Sequence, residues 1–179
     1  MGNKAAYLLA PKTPLSIQPA PLTHPQPNEI VIRNHALAIN PIDWKQQDTG
    51  VVISGFPYIM GMDIAGTVVE VGPGIMEFAK GDRVAAIAPA LTMQKKEYGG
   101  FQLYTVVPTN LVSRIPDNIA FTEAAVLPLG LVTAANGLFE PGNLGLKPPS
   151  TSISTDPAAN EGKAILIWGG SGSVGSCAI

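Results

Sequence analysis

Lys163-Ala164-Ile165-Leu166-Ile167-Trp168-Gly169-Gly170-Ser171-Gly172-Ser173-Val174-Gly175 is an apolar run that enters a glycine-rich turn. Gly170, Gly172 and Gly175 fall in the G-x-G-x-x-G spacing, which after a strand and before a helix is a dinucleotide fingerprint. The first glycine permits the tight turn, the second lets backbone approach a pyrophosphate, and the third brings helix onto strand. The helix start, at Ser173 and Val174, adds a partial positive charge for the phosphates. The alternative is a plain glycine-rich turn in a chain with 19 glycines. The acidic residue that reads the ribose belongs about 20 residues further on, beyond Ile179. The segment is therefore expected to be the start of a truncated Rossmann domain.

Upstream, Pro141 to Gly162 is a Pro- and Ser/Thr-rich linker. Before it, Thr122 is the expected N-cap of a helix carrying Glu123 in its first turn, and Pro128 breaks that helix. A second helical piece is expected over Leu131 to Phe139. The first hundred or so residues read differently, as short strands between turns. Ala5–Leu9, Glu29–Leu37, Ile64–Val71, Arg83–Ile87, Leu103–Val107 and Leu111–Ile115 are the expected strands, the first two joined by a Pro-rich connection. Such a pattern predicts a small barrel or sandwich. The expected division is a barrel over 1–121, a helical segment and linker over 122–162, and the nucleotide-binding start over 163–179.

Composition narrows the function classes. Charged residues make 13% of the 179 and hydrophobic ones 46%, which excludes a disordered chain. The 17 prolines and 19 glycines follow no three-residue period, so the chain is not collagenous. With net charge −2 and only Lys95-Lys96 as a basic pair, no nucleic-acid surface is expected. One cysteine, Cys177, excludes an intramolecular disulfide, and the thiol is expected to be structural. The start lacks a secretory signal. The longest apolar tract, Ala124 to Phe139, is broken by Pro128, Gly130 and Gly137 and reads as too short for a bilayer. A cytoplasmic protein with no membrane partner is expected.

Five stretches, in order, carry a resemblance: Asn40-Pro41-Ile42-Asp43-Trp44-Lys45; Pro57 to Gly66; Gly81-Asp82-Arg83-Val84; Gly99 to Tyr104; and Ile115-Pro116-Asp117-Asn118 through Ala125. With the fingerprint, they make the chain similar to the N-terminal half of the medium-chain dehydrogenase/reductase superfamily, in its quinone oxidoreductase and fungal trans-enoyl reductase (ToxD-like, "zinc-binding") branch. The resemblance implies a mainly β fold with α, a GroES-like barrel leading into a Rossmann domain. It implies an NADPH-dependent oxidoreductase of fungal secondary metabolism, NADH remaining open. The expected substrate is small, an enone, a quinone or a carrier-bound polyketide enoyl thioester. A homodimer is compatible with the full-length form. The competing reading is a catalytically silent barrel serving as an interaction module.

Zinc-dependent relatives carry Gly-His-Glu where this chain has Gly61-Met62-Asp63, and their cysteine ligand lies at Asn40. One cysteine and two histidines cannot form a four-thiolate site, and neither His24 nor His35 stands in ligand spacing. No metal is expected.

By resemblance, Asn40, Asp43, Lys45 and Thr133 join Gly170, Gly172, Ser173, Val174 and Gly175 around the cofactor. Lys45 binds cofactor ribose or helps deliver a proton, unless it is a solvated loop lysine. Asn40 and Asp43 shape the Asn40–Lys45 loop, Asp43 alternatively as a turn carboxylate. Thr133, at a helix start, touches the nicotinamide or caps its own helix. Tyr58, Met62 and Trp44 line the substrate cleft, with apolar packing as the alternative for Met62. The 179 residues alone are expected to be inactive.

Overall fold

The structure is a computed structural model, described here for residues 2–148, 160 and 162–179. The linker read over 141–162 lies largely outside the described residues. The chain divides into two compact units, Met1–Pro128 and Leu129–Ile179.

The first unit carries β1 (Asn3–Leu8), β2 (Ser16–Ala20), β3 (Glu29–Ala38), α1 (Pro41–Thr49), β4 (Tyr58–Ile59), β5 (Asp63–Val71), β6 (Arg83–Ile87), α2 (Ala90–Met93), β7 (Tyr104–Pro108), β8 (Val112–Arg114) and α3 (Phe121–Ala124). All ladders are antiparallel, in sheets of order β2-β1-β4 and β7-β3-β5-β6-β8. An isolated bridge between Ala5 and Gln102 links them, so the barrel is two sheets face to face and not one continuous ladder.

β3 shows why. Ile30 and Ile32 pack with Ile64, Val68, Val84 and Val107. Val31, on the opposite face, packs with Leu8, Tyr58, Met60 and Val106. A strand buried on both faces loses strict alternation and reads as a continuous apolar run. Beyond Arg33 only one side is covered, and alternation returns.

Several sequence expectations are corrected here. The Pro-rich connection contains β2, tolerated because β2 is an edge strand where Pro19 need not donate. The Asn40–Lys45 loop is the start of helix α1. Helix α3 begins one residue before Thr122, with Ala120 at the cap; Ala120 N–H donates to the Glu123 carboxylate at 2.8 Å. Pro128 opens α4 (Pro128–Phe139) instead of breaking it, the first-turn position where its missing N–H costs nothing. By length and composition alone, Phe121–Phe139 meets the measure of a membrane span, with mean hydropathy 1.3. Its α3 portion packs Ala124 and Ala125 against Ala65 and Ile115.

In the second unit α4 is followed by the glycine-rich turn and α5 (Ser173–Ala178). Residues 163–167 belong to no helix or strand and form no ladder among the described residues, so the expected strand is not made. A central parallel strand needs neighbours on both edges, and Leu166 and Trp168 instead stand 86% and 94% exposed.

Candidate functional site

Helix α1 is held by its ends. Its sequence has no apolar stripe, but Asn40 takes an extended cap conformation, Pro41 sits at the first helical position and Asp43 at the third. The Asn40 N–H donates to Asp43 Oδ2 at 2.7 Å, and Gly50 closes the far end in the left-handed region with φ 70°. The Asn40 side-chain amide then donates to Asp63 Oδ2 at 2.9 Å. Asp63 is the first residue of β5, so a continuous set of bonds joins helix to sheet. All three side chains are buried.

Burial raises the Asp43 pKa above the ordinary carboxylate value. The N–H groups of Asn40 and Gly61 oppose that rise, and the nearby Asp63 charge adds to it. Gly61 is required there: its φ is 90°, and a Cβ would lie 2.2 Å from the Phe101 ring.

Lys45 is separated from this group. Two positions after Asp43 on the helix, it faces a different way, exposed, with its ammonium 5.6 Å from the centroid of the exposed Trp44 ring. Tyr58 and Met62 are buried. Burial also raises the Tyr58 pKa, and its hydroxyl has no hydrogen-bond partner among the described residues. The structure thus brings together Asn40, Asp43 and Asp63. Asp63 was read only as part of a lost metal motif; the N-x-x-D spacing of Asn40 and Asp43, a capping pattern, was the signal for the cluster.

The donor set does not fit zinc. At the relevant positions stand an amide, a thioether and one carboxylate, and the amide nitrogen is already spent on that carboxylate. Among the described residues no three His, Cys, Asp or Glu side chains are grouped to hold a metal. His24 contacts Glu70 at 2.8 Å, while His35 stacks on Phe121 with centroids 4.7 Å apart.

In the second unit, Thr133 lies within α4, not at its start, and its hydroxyl donates to the Leu129 carbonyl at 2.7 Å. The glycine turn has the close approaches a phosphate cradle needs. Gly169, not Gly170, takes the left-handed conformation, with φ 80°. The Gly172 N–H returns to the Gly169 carbonyl at 2.9 Å, and Gly172 caps α5. A Cβ on Gly175 would lie 2.2 Å from the Gly169 carbonyl oxygen. The first α5 bond is Ser176 N–H to Gly172, which leaves the N–H groups of Ser173, Val174 and Gly175 ahead of the ladder. The residues fit a dinucleotide pyrophosphate. Cys177 is half-buried, near Gly130 of α4.

A GroES-like sheet pair followed by such a turn defines the N-terminal portion of a medium-chain dehydrogenase/reductase. Residues 26–117 match the alcohol dehydrogenase GroES-like domain family, and the chain belongs to it. Dehydrogenase pigH of Monascus ruber is 44% identical over 183 aligned residues, covering 99% of this chain and 48% of that protein. Trans-enoyl reductase himH of Aspergillus japonicus is 43% identical, covering 99% and 50%. An alcohol dehydrogenase superfamily protein of Novosphingobium aromaticivorans superposes with TM-score 0.80 at 28% identity, over 98% of this chain and 48% of that one. The chain spans about half the length of the curated relatives it matches. Its fold and its relatives are those of oxidoreductases, a superfamily that uses nicotinamide cofactors.

Proposed function

We propose that this protein serves a zinc-independent, NADPH-dependent reduction of an activated C=C bond, in an enoyl thioester or enone, or of a quinone. The observation that carries this reading is the close-packed Gly169–Gly175 turn, whose geometry suits a phosphate, in a chain 43% identical to a trans-enoyl reductase. The amide-for-ligand exchange at Asn40 supports metal-free chemistry.

Bound NADPH supplies a hydride. The chain's own residues position and protect: the backbone of Gly170, Gly172, Ser173, Val174 and Gly175 takes the pyrophosphate. Thr133 reaches the carboxamide once its hydroxyl is released from Leu129. Asn40 and Asp43 hold the α1 N-terminus in place. As an enone is reduced, charge gathers on its carbonyl oxygen and a proton must reach the α-carbon. Lys45, exposed on a flexible stem, is the group for that proton or for the cofactor ribose. The wider proposal is a cytoplasmic enzyme, a homodimer when full-length, accepting a carrier-bound enoyl thioester.

The test is an NADPH-oxidation assay on a full-length version with an enoyl thioester, an enone and a quinone, beside metal analysis. Turnover of one class, lost in Lys45→Ala and indifferent to chelators, is expected. About one tightly bound zinc per chain, or alcohol oxidation abolished by a chelator, would overturn the reading.

A further inference from the structure

The face of the first unit carried by β3, β5 and β7 holds two adjoining hollows. One, of about 420 Å³, is walled by Leu22, Val31, Val69 and Tyr104 and carries Arg33, Lys80 and Glu70. The other, of about 480 Å³, continues past Arg33 and Tyr104 toward His35 and Leu103. Strand pairing sets Arg33 opposite Tyr104 on β7 and Thr67 on β5, so the guanidinium stands where the two hollows meet.

The charges are unequally satisfied. Glu70, the carboxylate of this groove, is already held by His24 at 2.8 and 3.0 Å. Arg33 and Lys80 form no ion pair among the described residues. An apolar trough of this volume with a few polar groups is the ordinary form of a small-molecule site. Two cations without an ion pair among the described residues, beside a carboxylate already hydrogen-bonded to a histidine, select the sign of the ligand, and a guanidinium suits a planar or tetrahedral oxyanion.

We propose that this groove is a second ligand site, for a small amphiphile with an anionic head on an alkyl or acyl chain. The head sits between Arg33 and Lys80, and the chain lies along Val69, Leu22 and the Tyr104 ring. The site uses none of the residues assigned to hydride transfer and stands or falls separately from that reading.

Amide NMR titrations with octanoate, octyl phosphate and octanol test it. Both anions are expected to shift Arg33, Val69, Lys80 and Tyr104 amides together, their relative affinities showing whether the head is a carboxylate or a phosphate. Octanol should leave those amides in place. The double variant Arg33→Gln/Lys80→Gln, at surface positions that leave the fold intact, should bind octanoate about tenfold more weakly. Glu70→Gln should bind it about twofold more tightly. Octanol binding as tightly as octanoate, shifts scattered away from the groove, or unchanged affinity in the double variant would each overturn the proposal.

Discussion

Asp43 Oδ2 accepts the N–H of Asn40 at 2.7 Å, so a carboxylate three residues into α1 fastens the residue that starts it. Because both are buried, removing the carboxylate leaves a donor with neither protein nor solvent to satisfy it. Asp43→Ala is expected to lower stability by about 1–3 kcal/mol, read as a shift in the urea midpoint. A change within experimental error would show that water reaches the site.

The same residue sets a pH dependence. Its folded pKa is raised from 3.8, chiefly by burial, so the folded state binds its proton more tightly than the unfolded chain does. The slope of stability with pH from this group is therefore negative. Its contribution is full below 3.8 and declines as pH climbs from there through the raised folded value. Asp43→Asn removes this decline. The stability gap between wild type and Asp43→Asn should shift against the wild type between strongly acidic and neutral pH; a shift in its favour contradicts the assignment.

Tyr98 donates to Glu29 Oε1 at 2.5 Å in the interior. Burial first, then the hydrogen bond to Glu29 and the Glu29 charge, push the phenol up to about 12. Tyr98→Phe leaves the Glu29 carboxylate, among the described residues, with the Gln26 N–H at 2.9 Å, and should cost about 1–3 kcal/mol. Thermal unfolding of the variant checks this, and Glu29→Gln, which keeps an acceptor, should cost less.

Gly175→Ala places a methyl against the Gly169 carbonyl, and backbone cannot yield cheaply there. In a full-length version, NADPH affinity should fall at least about tenfold, with the fold of the first unit unchanged. Equal affinity would remove the turn from the cofactor site.

The 179-residue chain by itself should bind NADPH more weakly than about 10 μM, because among the described residues 163–167 pair with no strand that could build a nucleotide crevice. Calorimetric binding tighter than that contradicts the expectation.

Legibility followed the source of each element's stability. β6 coincides with the reading of Arg83–Ile87, and β3 and β5 lie within a residue of theirs, because their apolar content is their stability. Helix α1 was hidden because Pro41–Thr49 buries only Asp43 and Gln46; its caps hold it, and periodicity cannot show caps. β4, two residues long, carries too little pattern to detect. The reading of 163–168 failed for the opposite reason: its composition suits a strand, but among the described residues it has no hydrogen-bonding neighbour, which composition cannot supply. Within the candidate site, Asn40 and Asp43 were identifiable from motif order, whereas the exposure of Lys45 depends on a helix that the sequence did not advertise.

The Asn40–Asp63 bond also bears on how this protein can change over generations. Placing a thiolate at position 40 deletes the amide donor to a buried carboxylate at the first mutational step. The benefit of a metal would come only after position 62 had changed as well. A hydrogen bond of 2.9 Å thereby sets a folding cost against a metal ligand at position 40.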